Sequence, residues 1–108
     1  MDQTENDTAT KKVILESVFV YATLLNKSIR TCICLRYVAG EKAILTGYKK
    51  EKRNVLPDPL SSVVGEIINV SQAELRRLDR YERVPRKYQR SKIEIGSKQV
   101  WVYTLAKK

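Results

Sequence analysis

Residues 63 to 90 read VVGEIINVSQAELRRLDRYERVPRKYQR, and this one stretch holds a strand, a helix and the start of a second strand. VVGEIINV, 63 to 70, is a β-branched run of strand character. Ser71 and Glu74 then stand in the S-x-x-E spacing of a capping box, where the serine hydroxyl takes the amide three residues on and the glutamate reaches back. At 100° per residue, a helix from Ser71 puts Leu75 and Leu78 on one face and Arg76, Arg77, Arg80 and Arg83 on the other, until Pro85 ends it. Two acids break the pattern. Asp79 falls about 40° from Leu75 and Glu82 about 20°, so both carboxylates share the leucine stripe although a polar face is at hand. Three fates are open to them: solvent, if the helix frays before Pro85; an ion pair with an arginine such as Arg86 or Arg90; or a cleft. In a cleft, desolvation raises a carboxyl pKa toward neutrality and suits the group to act as a general base.

Working outward, VFVYA, 18 to 22, reads as a buried strand. TLLNKSIRTCICLRY, 23 to 37, reads as a helix, or a loop and then a short helix, with Leu25, Ile29 and Cys32 at i, i+4, i+7. VAGEKAILTGYKKE, 38 to 51, is a strand with Gly47 as a bulge or bend. NVLPDPLSS, 54 to 62, has two prolines flanking Asp58 and predicts an irregular loop. YQRSKIEIGSKQVWVYTL, 88 to 105, predicts a hairpin in which Ile93, Ile95, Val100, Val102 and Leu105 flank a turn at Gly96-Ser97. The order β-α-β-β-α-β-β is that of an α+β fold with a curled, mostly antiparallel sheet. Residues 1 to 12 have little apolar surface and predict a flexible tail, which leaves 13 to 108 as the folded domain.

The chain has 108 residues, 21 Lys and Arg against 12 Asp and Glu, a net charge of +9 and no histidine. The missing histidine excludes a Ser-His-Asp triad, a Cys-His pair and a histidine-based zinc site. Cys32 and Cys34 form C-x-C, which is neither a redox C-x-x-C nor enough to close a tetrahedral metal site, so free thiols, buried or half-buried, are expected and neither metal nor cofactor is. No basic run is interleaved with aromatics as a stacking platform would be, so nucleic acid is not the expected partner. MDQTENDTAT lacks the basic and apolar segments of a signal peptide, and no apolar run is long enough for a membrane span. A soluble cytoplasmic protein is the expectation.

Three motifs carry a resemblance. VFVYATL, 18 to 24, stands where a first strand ends in Y-G-[ST]-L; VVGEIINVSQAELRRLDRYE, 63 to 82, matches V-x-G-x-[IVL] leading to L-D-x-[FY]-E; VPRKYQRSKIEI continues as P-x-x-Y-x-R into a hairpin. Over about residues 17 to 105 the chain resembles the gamma-glutamylcyclotransferase-like superfamily, in particular the small members related to gamma-glutamylamine cyclotransferase and the plant AIG2-like proteins. The resemblance implies a small, mostly antiparallel distorted β-barrel flanked by two or more helices. It implies a reaction without cofactor or metal, in which the α-amino nitrogen of a small gamma-glutamyl amine or peptide attacks its own γ-carbonyl, releasing 5-oxoproline and the free amine. It makes Glu82 the catalytic base, the turn of Tyr21, Ala22, Thr23 and Leu24 the substrate-binding segment through its backbone N–H groups, and Tyr88 a pocket wall; Asp79 is left to local pairing.

One departure matters: the family's glycine after the tyrosine is Ala22. A negative φ there means one methyl narrowing the pocket, whereas a positive φ means a rearranged loop. The alternative function is therefore a non-catalytic binding module of the same fold, holding an anionic metabolite, a protein or RNA on its basic surface.

Overall fold

A computed structural model describes residues 14–106; the tail expected over 1 to 12 lies outside the described residues. The elements are β1 (Glu16–Val20), a single 3-10 turn (Thr23–Leu25), α1 (Lys27–Cys34), β2 (Gly40–Glu51), β3 (Asn54–Val70), α2 (Gln72–Tyr81), β4 (Tyr88–Ile95) and β5 (Lys98–Leu105). They occur in the order read from the sequence and form one five-stranded sheet, β2-β3-β1-β5-β4. All pairings are antiparallel except β1 with β5, where Val18 lies beside Trp101 and Phe19 beside Val102. Two hairpins thus flank a central strand, and the edge strands β2 and β4 approach each other without pairing. The expected distorted barrel is a curled sheet that hydrogen bonding does not close.

β1 is buried on both faces, as its unbroken apolar run requires. Val18 and Val20 pack with Leu24, Cys34, Leu75, Leu78, Tyr88 and Tyr103 under the helices. Phe19 and Tyr21 point the other way, into the concave side lined by Leu45, Val55, Val63, Ile67, Val100 and Val102. Gly65 on β3 lets the strands meet closely, since a Cβ there would lie 2.3 Å from the Val20 carbonyl oxygen and 2.7 Å from the Phe19 ring. Among the described residues no helix is long and apolar enough to cross a membrane.

Three sequence expectations need correction. The loop expected over 54 to 62 is mostly strand: residues 54 to 57 pair with 48 to 51, and only 58 to 61 bulge out opposite Gly47, whose φ of +87° makes the bend foreseen for it. Pro59 is tolerated because it sits in this bulge, where no ladder amide is needed, and Pro57 is the last paired residue at its edge; Asp58 closes the bulge by accepting from the Leu60 amide and the Ser61 hydroxyl. The stripe Leu25, Ile29, Cys32 does not form the buried face of α1. Asn26 caps the helix through the Ser28 and Ile29 amides, and this start buries Arg30 and Cys34 while Leu25 and Cys32 are exposed. The thiols were expected to be buried or half-buried, but Cys32 is exposed and only Cys34 is buried.

α2 follows its sequence closely. Ser71 and Glu74 form both bonds of the capping box, and Leu75 and Leu78 are buried. The helix stops at Tyr81, before Pro85, because Arg83 takes a left-handed conformation with φ +58° and the chain turns toward β4. The hairpin of β4 and β5 turns at Gly96, φ +62°.

Candidate active site

The end of α2, the turn after β1 and the start of β4 meet around one cavity of about 250 Å³. Its lining includes every residue that the resemblance assigned to the site, Glu82, Tyr21, Ala22, Thr23, Leu24 and Tyr88, and not Asp79. It also includes Arg53, Tyr81, Arg83, Lys87 and Tyr103, which sequence reasoning did not assign. The volume lies below the ~300–1,000 Å³ of drug-sized sites, so it suits a small ligand.

Glu82 is the cap of α2, its amide donating to the Leu78 carbonyl at 2.9 Å. Its carboxyl is half-buried and forms no hydrogen bond or ion pair among the described residues. Burial pushes its pKa above the ordinary carboxylate value, with Lys87 pulling it part of the way back. Asp79, one turn earlier, has the other fate foreseen for an inward acid. Arg90 donates to both of its oxygens, at 2.8 and 3.0 Å, and the Tyr103 hydroxyl donates at 2.7 Å. The two acids of the leucine stripe thus divide between a satisfied anchor and an uncommitted carboxylate facing the cavity.

The tyrosines are held in turn. The Tyr21 hydroxyl donates to the Tyr103 carbonyl, with the Arg53 carbonyl 3.4 Å away, and the Tyr88 hydroxyl donates to that same Arg53 carbonyl at 2.7 Å. Burial above all, then the neighbouring Tyr88 and Glu82 charges, pushes the Tyr21 pKa up; burial and Glu82 do the same for Tyr88. Both phenols stay protonated at neutral pH and act as spacers. They also tie the β2–β3 tip to the cavity wall, and the bend at Gly47 occurs in that same hairpin.

The turn at 21 to 24 is fixed at its far end by Arg30, which is fully buried. Its guanidinium donates to the Leu24 carbonyl at 3.1 Å and the Val38 carbonyl at 2.8 Å, and pairs with Glu66 at 2.9 Å. Gly40 leaves room for that pair, since a Cβ there would stand 2.1 Å from the glutamate oxygen. The turn's own bonds, from the Leu25 amide to Ala22 and the Asn26 amide to Thr23, use no amide before Leu25. Among the described residues the Ala22, Thr23 and Leu24 amides make no such bond, as at the start of a helix. Ala22 has φ −134° and ψ −122°, outside the left-handed region that favours glycine, and it lines the cavity.

Chemically, the arrangement offers one carboxylate whose proton affinity burial raises above that of an ordinary glutamate, a run of backbone amides, and cations. Among the described residues no group of three or more His, Cys, Asp or Glu could hold a metal ion. Arg83 and Lys87 could have been found from the sequence, because they flank Glu82 and Tyr88 in the 63 to 90 stretch. Arg53 gave no signal; it arrives through a hairpin.

A curled five-stranded sheet with two helices is the fold of the gamma-glutamylcyclotransferase-like superfamily. Residues 18–108 match the family model described as gamma-glutamyl cyclotransferase, AIG2-like, and the chain belongs to that family. A solution structure of an Arabidopsis thaliana protein is similar with a TM-score of 0.73 at 25% identity, over 87% of this chain and 64% of that one. This chain thus spans less than two thirds of that protein's length. An AIG2-like protein from Mus musculus is similar with a TM-score of 0.62 at 26% identity, over 85% of this chain and 78% of that one. A structure titled gamma-glutamyl cyclotransferase has a TM-score of 0.70 at 16% identity, over 86% and 68%, which speaks for the fold alone. No curated protein matches the chain significantly by sequence.

Proposed function

We propose that the protein is a gamma-glutamyl cyclotransferase that converts a small gamma-glutamyl amine or peptide to 5-oxoproline and the free amine. The observation carrying this reading is the uncommitted, half-buried carboxyl of Glu82, its pKa raised, in one cavity with the 21 to 24 turn and Tyr88. Glu82 takes a proton from the substrate's α-ammonium, and the freed amine attacks the γ-carbonyl of the same molecule. A five-membered ring forms, and negative charge develops on the carbonyl oxygen, which the open amides of Ala22, Thr23 and Leu24 are suited to stabilise. Collapse breaks the bond to the leaving nitrogen, which receives the proton from Glu82, and the ring nitrogen sheds its second proton, so that a neutral lactam and an amine that is protonated in water are released. Because nucleophile and electrophile belong to one substrate, the cavity's main task is to hold the glutamyl chain folded, and positioning of this kind is worth several kcal/mol.

The alternative, a non-catalytic binding module, rested on the loss of glycine at position 22. The negative φ of Ala22 removes the need for a rearranged loop and so supports the catalytic reading. Incubation with a panel of gamma-glutamyl amines and dipeptides, with 5-oxoproline detected by mass spectrometry, tests it. Turnover should fall at least a hundredfold in Glu82→Gln, since general-base catalysis contributes ~10²–10⁴. A variant retaining more than about a tenth of parental activity would remove Glu82 from the role.

A further inference from the structure

Because the Glu82 carboxyl makes no bond among the described residues, its aim depends on how the last turn of α2 is set. The main chain around it is bracketed by bonds to that turn. The Glu82 amide donates to the Leu78 carbonyl at 2.9 Å, and the Val84 amide reaches back past it to the Asp79 carbonyl, also at 2.9 Å. Leu75 and Leu78 press α2 into the core, but apolar contact has no direction of its own and leaves a helix free to roll about its axis.

The side chain of Asp79 stops the roll. Arg90 and Tyr103 stand directly opposite each other on β4 and β5, and together they make one receptor for its carboxylate. The guanidinium donates at 2.8 and 3.0 Å and the phenol at 2.7 Å, and a two-pronged, charge-assisted contact of this kind fixes orientation as well as distance. Arg90 is braced in turn: its guanidinium carbon lies 4.2 Å from the centre of the Trp101 ring, whose N–H donates to Glu16 at 2.8 Å. The receptor thus belongs to the sheet, and Asp79 is the helix's point of attachment to it. At the outer radius of a helix, about 5–6 Å, a roll of only about 10° carries a group by about 1 Å. A misplacement of about 1 Å can cost ~10²-fold in rate.

Resting on the cyclotransferase reading above, we propose that Asp79 is a positioning residue: clamped by Arg90 and Tyr103, it fixes the rotation of the last turn of α2 and so the aim of the Glu82 carboxyl at the substrate's α-ammonium.

Asp79→Asn and Arg90→Lys, separately and together, test this with the gamma-glutamyl compound that the parent turns over fastest, at a temperature well below the Tm of each variant. The first removes the charge from the clamp; the second keeps the ion pair and replaces the fork with a single ammonium. In both, kcat should fall about tenfold or more while KM changes by less than about threefold, because the contacts of the bound substrate stay in place. The double variant should lose no more than the worse single, since both act through one clamp. In Arg90→Lys the acid limb of kcat/KM should also move down toward the 4.5 of an ordinary glutamate, because a Glu82 released toward solvent loses the burial that raises its pKa while Lys87 and the other charges stay as they were. A brace of the fold alone would lower Tm and leave these kinetic readings where they are. A kcat within about twofold of the parent in both singles, or losses that multiply in the double, overturns the positioning role and leaves the cyclotransferase intact. No 5-oxoproline from the parent with any compound of the panel removes the cyclotransferase reading and the role of Asp79 with it.

Discussion

Gly65→Ala adds a single methylene-sized group where the structure has no room. The new Cβ would stand 2.3 Å from the Val20 carbonyl oxygen and 2.7 Å from the Phe19 ring, whereas real Cβ atoms essentially never come under 3.0 Å. The main chain of β1 must therefore retreat by about 0.7 Å merely to reach that floor. β1 cannot retreat easily, because it is paired with β3 on one side and β5 on the other. Overpacking costs typically ~1–3 kcal/mol, and the upper end applies here because the obstacle is backbone. For a domain of this size the loss lowers Tm by roughly 10–15 °C. The displaced Val20 immediately precedes Tyr21, so the turn with the open amides moves as well, and 5-oxoproline release should fall out of proportion to the folded fraction. Calorimetric melting and a urea titration measure the first effect; kcat/KM well below Tm measures the second. A Tm within 2 °C of the parent, with unaltered turnover, would show that β1 and β3 do not meet as described.

Other outcomes follow from the same geometry. The pKa of Glu82 is raised by burial, so the acid limb of kcat/KM should lie above the 4.5 of an ordinary glutamate and move higher still in Lys87→Gln; a limb at or below 4.5 would contradict it. A carboxyl with a raised folded-state pKa contributes stability only below its unfolded value and loses it as pH rises through the folded value, so Glu82→Gln should melt higher than the parent at neutral pH, seen by calorimetry. Ala22→Gly should change kcat/KM by less than about fivefold, because φ at −134° does not require glycine and only one methyl is lost; a tenfold rise would show that the alanine distorts the turn. Glu74 is the opposite case, its pKa lowered to about 2, first by the Arg36 hydrogen bonds. Its contribution is complete above 4.5 and lost as pH falls toward 2. With Arg36 45% exposed, solvent screening leaves ~1–2 kcal/mol, and urea titrations of Glu74→Gln should show that loss at pH 7 and a flatter pH dependence below 4.5.

What could be read from the sequence was what depends on neighbours along the chain. The capping box, the leucine stripe and the angle that turns Asp79 and Glu82 inward all lie within the twelve residues 71 to 82, so helix geometry alone places them. Whether each acid was paired or free did not follow, because Arg90 and Tyr103, which hold Asp79, come from two other strands. The phase of α1 was misjudged by starting its period at Leu25, before the Asn26 cap that sets it. The prolines at 57 and 59 suggested a longer break than exists, since their cost depends on whether a partner strand needs their amides, which only the register with β2 decides. Arg53 lies some thirty residues from both Tyr21 and Tyr88, and nothing local announces that a hairpin tip closes the cavity.

That tip is gripped by its main chain. Both tyrosine hydroxyls approach the carbonyl of residue 53, and the Leu105 amide donates to the Asn54 side chain beside it. The side chain at 53 takes no part in the hold. Any residue that tolerates the turn could stand there without loosening the wall, so the charge at the tip can change by single substitutions while Glu82 and the turn at 21 to 24 stay as they are. Length has no such freedom: one residue inserted between Gly47 and Asn54 would carry the carbonyl out of reach of both phenols. Related chains with equal hairpins should therefore differ freely in the residue at 53, and chains with longer ones should have lost the wall.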